Sequence, residues 1–196
     1  MNARGAADKV TVILAGGQSR RMGRDKALLP FGSTTLLAHV ADRARALGFP
    51  VVVSTAPGRL YDLPSSVMLI EDTYAGGGPL GGILSVMRAV EAAHYLFWPV
   101  DMPRLDARIW QMFLEASALE PHKMICARTA DRIFPLPGVI PAAAGPLLER
   151  RWAAGRRALY PLCATNTAKV IDLSRYSAYF VNLNSPDDLR GCNEQG

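Results

Sequence analysis

An apolar and β-branched run, Val10-Thr11-Val12-Ile13-Leu14, leads directly into Ala15-Gly16-Gly17-Gln18-Ser19-Arg20-Arg21-Met22-Gly23-Arg24-Asp25-Lys26. A run of this kind without polar alternation suits a strand buried on both faces, which needs helices covering both sides of its sheet. A central strand is therefore predicted over 10–15, stopping at a glycine turn with four cationic side chains close behind it. The feature narrows the chain to an α/β architecture and marks one strand end as a place to hold an anion.

The pattern downstream agrees. Leu36, Leu37, Val40, Ala44 and Leu47 recur at helical spacing within 35–47, and Gly48 supplies a stop. Strands are predicted over 50–54, 67–70 and 94–100, and a helix over 80–93. The succession strand, helix, strand, strand, helix, strand implies a mainly parallel sheet with right-handed crossovers. In the second half, 106–119 reads as a helix and 123–127 as a strand. Phe134-Pro135-Leu136-Pro137-Gly138 argues against a central strand, because proline cannot donate to the ladder. Short helices are expected over 145–154 and 157–164, and late strands over 168–171 and 178–181. Residues 1–9 are expected to be a frayed tail and 10–190 one domain, with no internal repeat or linker.

Composition removes several alternatives. No apolar run approaches the roughly 18 residues of a membrane span, and 1–9 lack the apolar centre of a secretory signal. Cys126, Cys163 and Cys192 are far apart in sequence and form no CxxC pair, so neither a disulfide framework nor a zinc site is expected. A reduced, cytoplasmic protein is the simplest expectation. Lys and Arg number 22 against 17 Asp and Glu, a net charge of +5 that suits an anionic ligand. The basic stripe interleaved with aromatics that marks a nucleic-acid reader is missing, so neither nucleic acid nor membrane is an expected partner.

Ligands of open α/β sheets bind beyond the carboxyl ends of the strands, and four ends here carry suggestive residues. At the first, Gly16 and Gly17 let backbone N–H groups approach phosphate oxygens, and Arg20, Arg21, Arg24 and Lys26 can neutralise the charge. The turn fits neither GxGxxG nor GxxxxGK[ST]. At the second, Ser54 is uninformative alone. The third joins Glu71-Asp72 to Gly76-Gly77-Gly78-Pro79-Leu80-Gly81-Gly82, where a flat ligand can lie on backbone at a helix N-terminus and Asp72 can accept hydrogen bonds from a base or ribose. At the fourth, Asp101 follows Tyr95-Leu96-Phe97-Trp98-Pro99-Val100 and offers one hard oxygen to Mg²⁺, the alternative being a cap or turn role before Pro103. His39, His94 and His122 sit in unrelated contexts and receive no catalytic role; no GxSxG or Cys–His signature supports covalent catalysis.

Leu14-Ala15-Gly16-Gly17, Arg21-Met22-Gly23, Lys26, Gly78-Pro79-Leu80 with Gly82, Asp101, Phe134-Pro135-Leu136-Pro137-Gly138 and Asn182-Leu183-Asn184-Ser185-Pro186 together resemble the molybdenum cofactor guanylyltransferases. The likeness extends from Val10 to Leu189. The opening motif is shared with nucleotidyltransferases for sugars, isoprenoids and cofactors; the late Asn-x-Asn-x-Pro segment narrows it. The resemblance implies a Rossmann-like three-layer α/β/α fold with a mostly parallel sheet and a late antiparallel strand. It implies transfer of GMP from GTP to molybdopterin or molybdenum-molybdopterin, and leaves room for molybdoenzyme apoproteins and other cofactor-synthesis proteins as partners. It implies GTP on Leu14, Ala15, Gly16, Gly17 and Lys26, with Gly78 and Pro79 in the same site, the guanosine near Ser54 and Asp72, and Mg²⁺ on Asp101. Arg21, Lys26 and Asp101 would be the catalytic set, and Asn182, Asn184 and Arg156 would face the pterin. Ser54 stands where the family often has asparagine. The competing expectations are a nucleotidyltransferase using CTP or another phosphate acceptor, such as a sugar phosphate, and a non-catalytic molybdopterin carrier.

Overall fold

The structure, a computed structural model, describes residues 7–16, 25–74, 76–130, 132–183 and 188. It opens with β1 (Ala7–Leu14). A 3-10 turn, Lys26–Leu28, then leads into a two-stranded hairpin, β2 (Pro30–Phe31) and β3 (Thr34–Thr35). There follow α1 (Leu36–Arg45), β4 (Val51–Thr55), β5 (Val67–Glu71), α2 (Pro79–Ala89), β6 (Ala92–Pro99) and α3 (Ala107–Leu119). The remainder holds β7 (Met124–Thr129), β8 (Arg132–Pro141), α4 (Gly145–Ala153) and β9 (Ala168–Asp172), with 3-10 turns between and after them.

Seven strands form one sheet in the order β5-β4-β1-β6-β8-β7-β9. Every neighbouring pair is parallel except the two that involve β8. Alternate residues of the central strands feed two cores, as a two-residue side-chain period requires. Ile13, Val51, Val53, Leu96 and Trp98 pack with α1 and α3 on one face. Val10, Val12, Val52 and Phe97 pack with Leu80, Ile83 and Leu84 of α2 and Leu148 of α4 on the other. This is the expected three-layer α/β/α arrangement.

Local chemistry sets the helix ends. The Thr35 hydroxyl accepts from Ala38 N at the start of α1, and the Asp106 carboxylate accepts from Ile109 N at the start of α3; such caps contribute about 1 kcal/mol each. Beyond α1, Gly48 takes a positive φ of 80° that suits a residue without Cβ.

Three expectations need correction. Residues 7–9 are not a tail: Ala7–Lys9 belong to β1, where Lys9 pairs with His94 across to β6. The Pro135–Pro137 segment lies in an interior strand. The ladders tolerate this because they skip it: Gly138 pairs with Phe97 and Phe134 with Ala127, while Pro135, Leu136 and Pro137 fall in the irregularity opposite residues 125–127. Neither proline is asked for the N–H it lacks, and the Leu136–Pro137 peptide is cis. Finally, Ala178 lies in a 3-10 turn, Ser174–Tyr179, rather than in a strand; residues 180–183 are irregular. Cys126 and Cys163, distant in sequence, bring their free thiols to 3.2 Å in the interior.

Candidate active site at the switch point of the sheet

From β1 the sheet grows outward through β4 to β5, and β6 then returns to the opposite side of β1. The switch point therefore lies beyond the carboxyl ends of β1 and β6, where loops diverge and leave a crevice. The ends are held in register: Ala15 N donates to Ser54 O at 2.8 Å, and Val100 N to Leu14 O at 3.2 Å. A cavity of about 210 Å³ opens there. Leu14 lines it from the end of β1, Ala15 and Gly16 from just beyond, Lys26 from the following 3-10 turn, and Asp101 from just beyond β6. Ser54, Asp72, Gly78 and Pro79 complete the predicted residues that share it.

Lys26 and Asp101, 75 positions apart in sequence, meet with Nζ 3.3 Å from Oδ2. Their side chains are only 18% and 24% exposed, so the charges sit in a recess where solvent screens them incompletely. The turn carrying Lys26 is braced from behind. Asp25 accepts from Ala27 N at 3.0 Å through Oδ1. Its Oδ2 accepts from Tyr61 Oη at 2.9 Å and lies 3.4 Å from Arg59. Burial pushes the Tyr61 phenol above its usual pKa, which keeps it a donor to Asp25. Asp25 had a legible signal, an N-cap residue type directly before Lys26; Arg59 and Tyr61 had none.

On the other side of β1, the Ser54 hydroxyl donates to Asp72 Oδ1 at 2.5 Å. Burial raises the Asp72 carboxyl pKa, and the bond from Ser54 opposes that rise. Gly78 closes this end with φ 56° and ψ −147°, a conformation open essentially to glycine, and precedes Pro79 at the first turn of α2. Leu136 from the proline segment of β8 forms part of the wall; the resemblance marked that segment but assigned it no place in the site.

The late segment reaches the same rim. Leu183 N donates to Asp101 O at 2.8 Å, and the neighbouring Asn182 has a buried Oδ1 without a hydrogen-bond partner. Arg156 is not among the cavity residues; it is exposed in the turn after α4, its N–H bonded to Arg151 O. Nearby, Arg157 stacks over the Trp152 ring at 3.7 Å, and Trp152 meets Tyr74 edge-on at 4.8 Å. Gly17, Arg20, Arg21, Gly23 and Arg24 of the opening turn, and Asn184, Ser185 and Pro186 of the late segment, lie outside the described residues.

Among the described residues no three Asp, Glu, His or Cys side chains cluster to hold a metal ion. No helix there is long and apolar enough to cross a membrane.

A recess at the switch point is common to many nucleotide-binding sheets, and sequence similarity narrows the choice. Molybdenum cofactor guanylyltransferase from Pseudomonas fluorescens strain Pf0-1 is 31% identical over 93% of this chain and 92% of its own length. Among solved structures, molybdopterin-guanine dinucleotide biosynthesis protein A from Archaeoglobus fulgidus superposes with a TM-score of 0.79 at 20% identity, covering 94% of this chain and 97% of that one. The 2-C-methyl-D-erythritol 4-phosphate cytidylyltransferase of Thermus thermophilus shares the fold with a TM-score of 0.71 at 16% identity, over 93% and 96% of the two chains. The profile described as MobA-like NTP transferase domain matches residues 11–169, from the first buried strand to the last, and the chain belongs to that nucleotidyltransferase family.

Proposed function

We propose that the protein transfers GMP from GTP to the terminal phosphate of molybdopterin, or of molybdenum-molybdopterin, and releases pyrophosphate. The observation that carries the reading is the meeting of Lys26 and Asp101 in one recess with Ser54 and Asp72. A cationic group and a carboxylate at the phosphate end, and an acceptor-only carboxylate at the other, match the two halves of a guanosine triphosphate.

In the reaction an oxygen of the acceptor phosphate bonds to the α-phosphorus as the bond to the bridging oxygen breaks, and pyrophosphate takes the electron pair. The acceptor is already an anion, so no strong base is required; placement and charge neutralisation supply most of the rate. Lys26 balances charge on the departing pyrophosphate, and Arg21 is assigned the same task. Gly16 and Gly17 offer backbone N–H groups to the phosphates. Asp72 accepts from guanine, whose N1–H and amino group are donors. Asn182, with its unpartnered oxygen, Asn184 and Arg156 are assigned to the pterin substrate.

Asp101 fits a divalent ion that arrives with the nucleotide: Mg²⁺ commonly takes one or two carboxylates plus phosphate oxygens and water, not an all-protein cage. Asp101 would hold the ion, which would supply charge neutralisation at the phosphates and polarisation of phosphorus. The Lys26 ammonium beside Asp101 balances the carboxylate charge within the recess.

The test is pyrophosphate release with GTP, CTP or ATP in the presence of molybdopterin, with the product identified by mass spectrometry. GTP-dependent release and a guanine dinucleotide product are expected. Preferential use of CTP, or acceptor binding without pyrophosphate release from any nucleotide, refutes the reading.

A further inference from the structure

Ser54 occupies an unusual position for a hydroxyl. It lies in the interior part of β4, paired with Leu14 of β1 on one side and Ile70 of β5 on the other. It is 0% exposed, and its hydroxyl hydrogen is committed to Asp72. The backbones of both residues are pinned: Ser54 O accepts from Ala15 N, and Asp72 N donates to Thr55 O at 2.8 Å. What the ladder leaves undetermined is the Asp72 side-chain rotamer, and the Ser54 bond sets it.

The surroundings are cut to fit this pair. A Cβ on Gly82 would overlap Ser54 Oγ and lie 3.4 Å from Asp72 Oδ1. A Cβ on Gly16 would overlap Asp72 Oδ2 and come within 3.4 Å of Ala56 N. Neither glycine has a φ in the left-handed region, so it is room for the carboxylate and its partner, not backbone freedom, that both positions supply. A carboxylate has about four lone-pair sites on its two oxygens. Ser54 occupies one of them, and the others remain able to accept donors from the cavity.

We propose that Ser54 is a positioning residue for base selection: it makes no contact with the nucleotide and instead fixes Asp72 in the orientation that accepts from both N1–H and the amino group of guanine. The inference rests on the guanylyl-transfer reading and deepens it. It also accounts for a serine where a longer amide would need the space that Asp72 and Gly82 occupy.

The experiment compares kcat/KM for GTP with that for inosine triphosphate, which keeps N1–H but lacks the amino group, using the full chain and molybdopterin. In Ser54→Ala the GTP/ITP ratio falls by about tenfold, as loss of an oriented polar contact does. KM for GTP rises while kcat stays within about threefold of the unaltered protein, since the groups at the phosphates are untouched. Ser54→Thr, which retains the hydroxyl, keeps a ratio within about threefold of the original. A packing role alone would slow both nucleotides equally. A ratio unchanged in Ser54→Ala, or lost as fully in Ser54→Thr, overturns the inference while GTP turnover by the unaltered protein leaves the guanylyl-transfer reading standing. Failure of the unaltered protein to use GTP overturns both.

Discussion

Gly138→Ala tests why an interior strand can carry prolines at 135 and 137, between its paired ends. A Cβ at this position would lie 2.6 Å from Ile125 O and 2.8 Å from Pro135 O. Both are backbone atoms of a hydrogen-bonded sheet and cannot swing aside as a side-chain tip can. The φ of Gly138 is outside the left-handed region, so the cost is steric and not conformational. Overpacking of this kind costs about 1–3 kcal/mol, and contact with two fixed oxygens belongs at the upper end. Against it, alanine restricts the unfolded chain and returns about 0.4–1 kcal/mol. The net loss is about 2 kcal/mol, or about 4–8 °C in Tm for a chain of this size. Gly145→Ala is the control: its Cβ would meet only Met87 Cε at 3.6 Å, an ordinary contact at a helix start, and its Tm should be unchanged or higher. Thermal melts by circular dichroism compare the two. Because the same segment brings Leu136 to the cavity wall, Gly138→Ala should also raise KM for GTP. A Gly138→Ala protein that melts with the unaltered one would refute the crowding argument and the account of how the proline segment is accommodated.

Lys26→Ala should lower kcat for GMP transfer by about 10²–10³-fold, the usual loss for a preorganised charge at a developing anion. Asp101→Ala should abolish Mg²⁺-dependent turnover with the far-ultraviolet spectrum intact; full activity in either variant contradicts the placement of the phosphates. The third prediction concerns pH and stability. Burial and the Arg43 charge hold His39 below its ordinary pKa of 6.5. The unfolded chain therefore takes up the proton first, so His39 contributes stability that is complete above 6.5 and is lost as pH falls through the lowered folded value. The urea midpoint should drop between pH 7.5 and 5.5, and drop less in His39→Gln; equal drops would contradict the sign.

The central sheet was legible because its strands are buried on both faces, and a strand so placed must be apolar along its whole length. Val51-Val52-Val53 and Tyr95-Leu96-Phe97-Trp98 announce themselves for that reason. The β2–β3 hairpin left no such trace, since two-residue strands have no periodicity to read. The proline segment misled for a different reason. The rule that proline cannot donate is sound, but it constrains a ladder position, and Pro135 and Pro137 occupy none. Within the site, Lys26 was legible as a cation behind the glycine turn and Asp101 as an acid at a strand end. The bracing of Asp25, and through it of the Lys26 turn, by Tyr61 and Arg59 was not, because it depends on how the loop after β4 lies over the turn. The same limit applies to Cys126 and Cys163, whose proximity comes from a 3-10 turn packing against β7.

Gly16 shows how one residue joins the two halves of the recess. In the sequence it belongs to a turn whose missing side chains admit phosphate oxygens, and Lys26 ten positions later completes that picture. In the structure the space beside its Cα is occupied by the Asp72 carboxylate, on the side of β1 proposed to take the base. A side chain there would displace Asp72 from Ser54 before it met any phosphate. The first glycine of the turn is thus required by the order β4-β1-β6, which sets the residue after β1 between the acid beyond β5 and the acid beyond β6. A substitution at Gly16 should accordingly injure base selection and phosphate placement together. Ser54→Ala and Lys26→Ala separate them, because each touches one side of β1 alone.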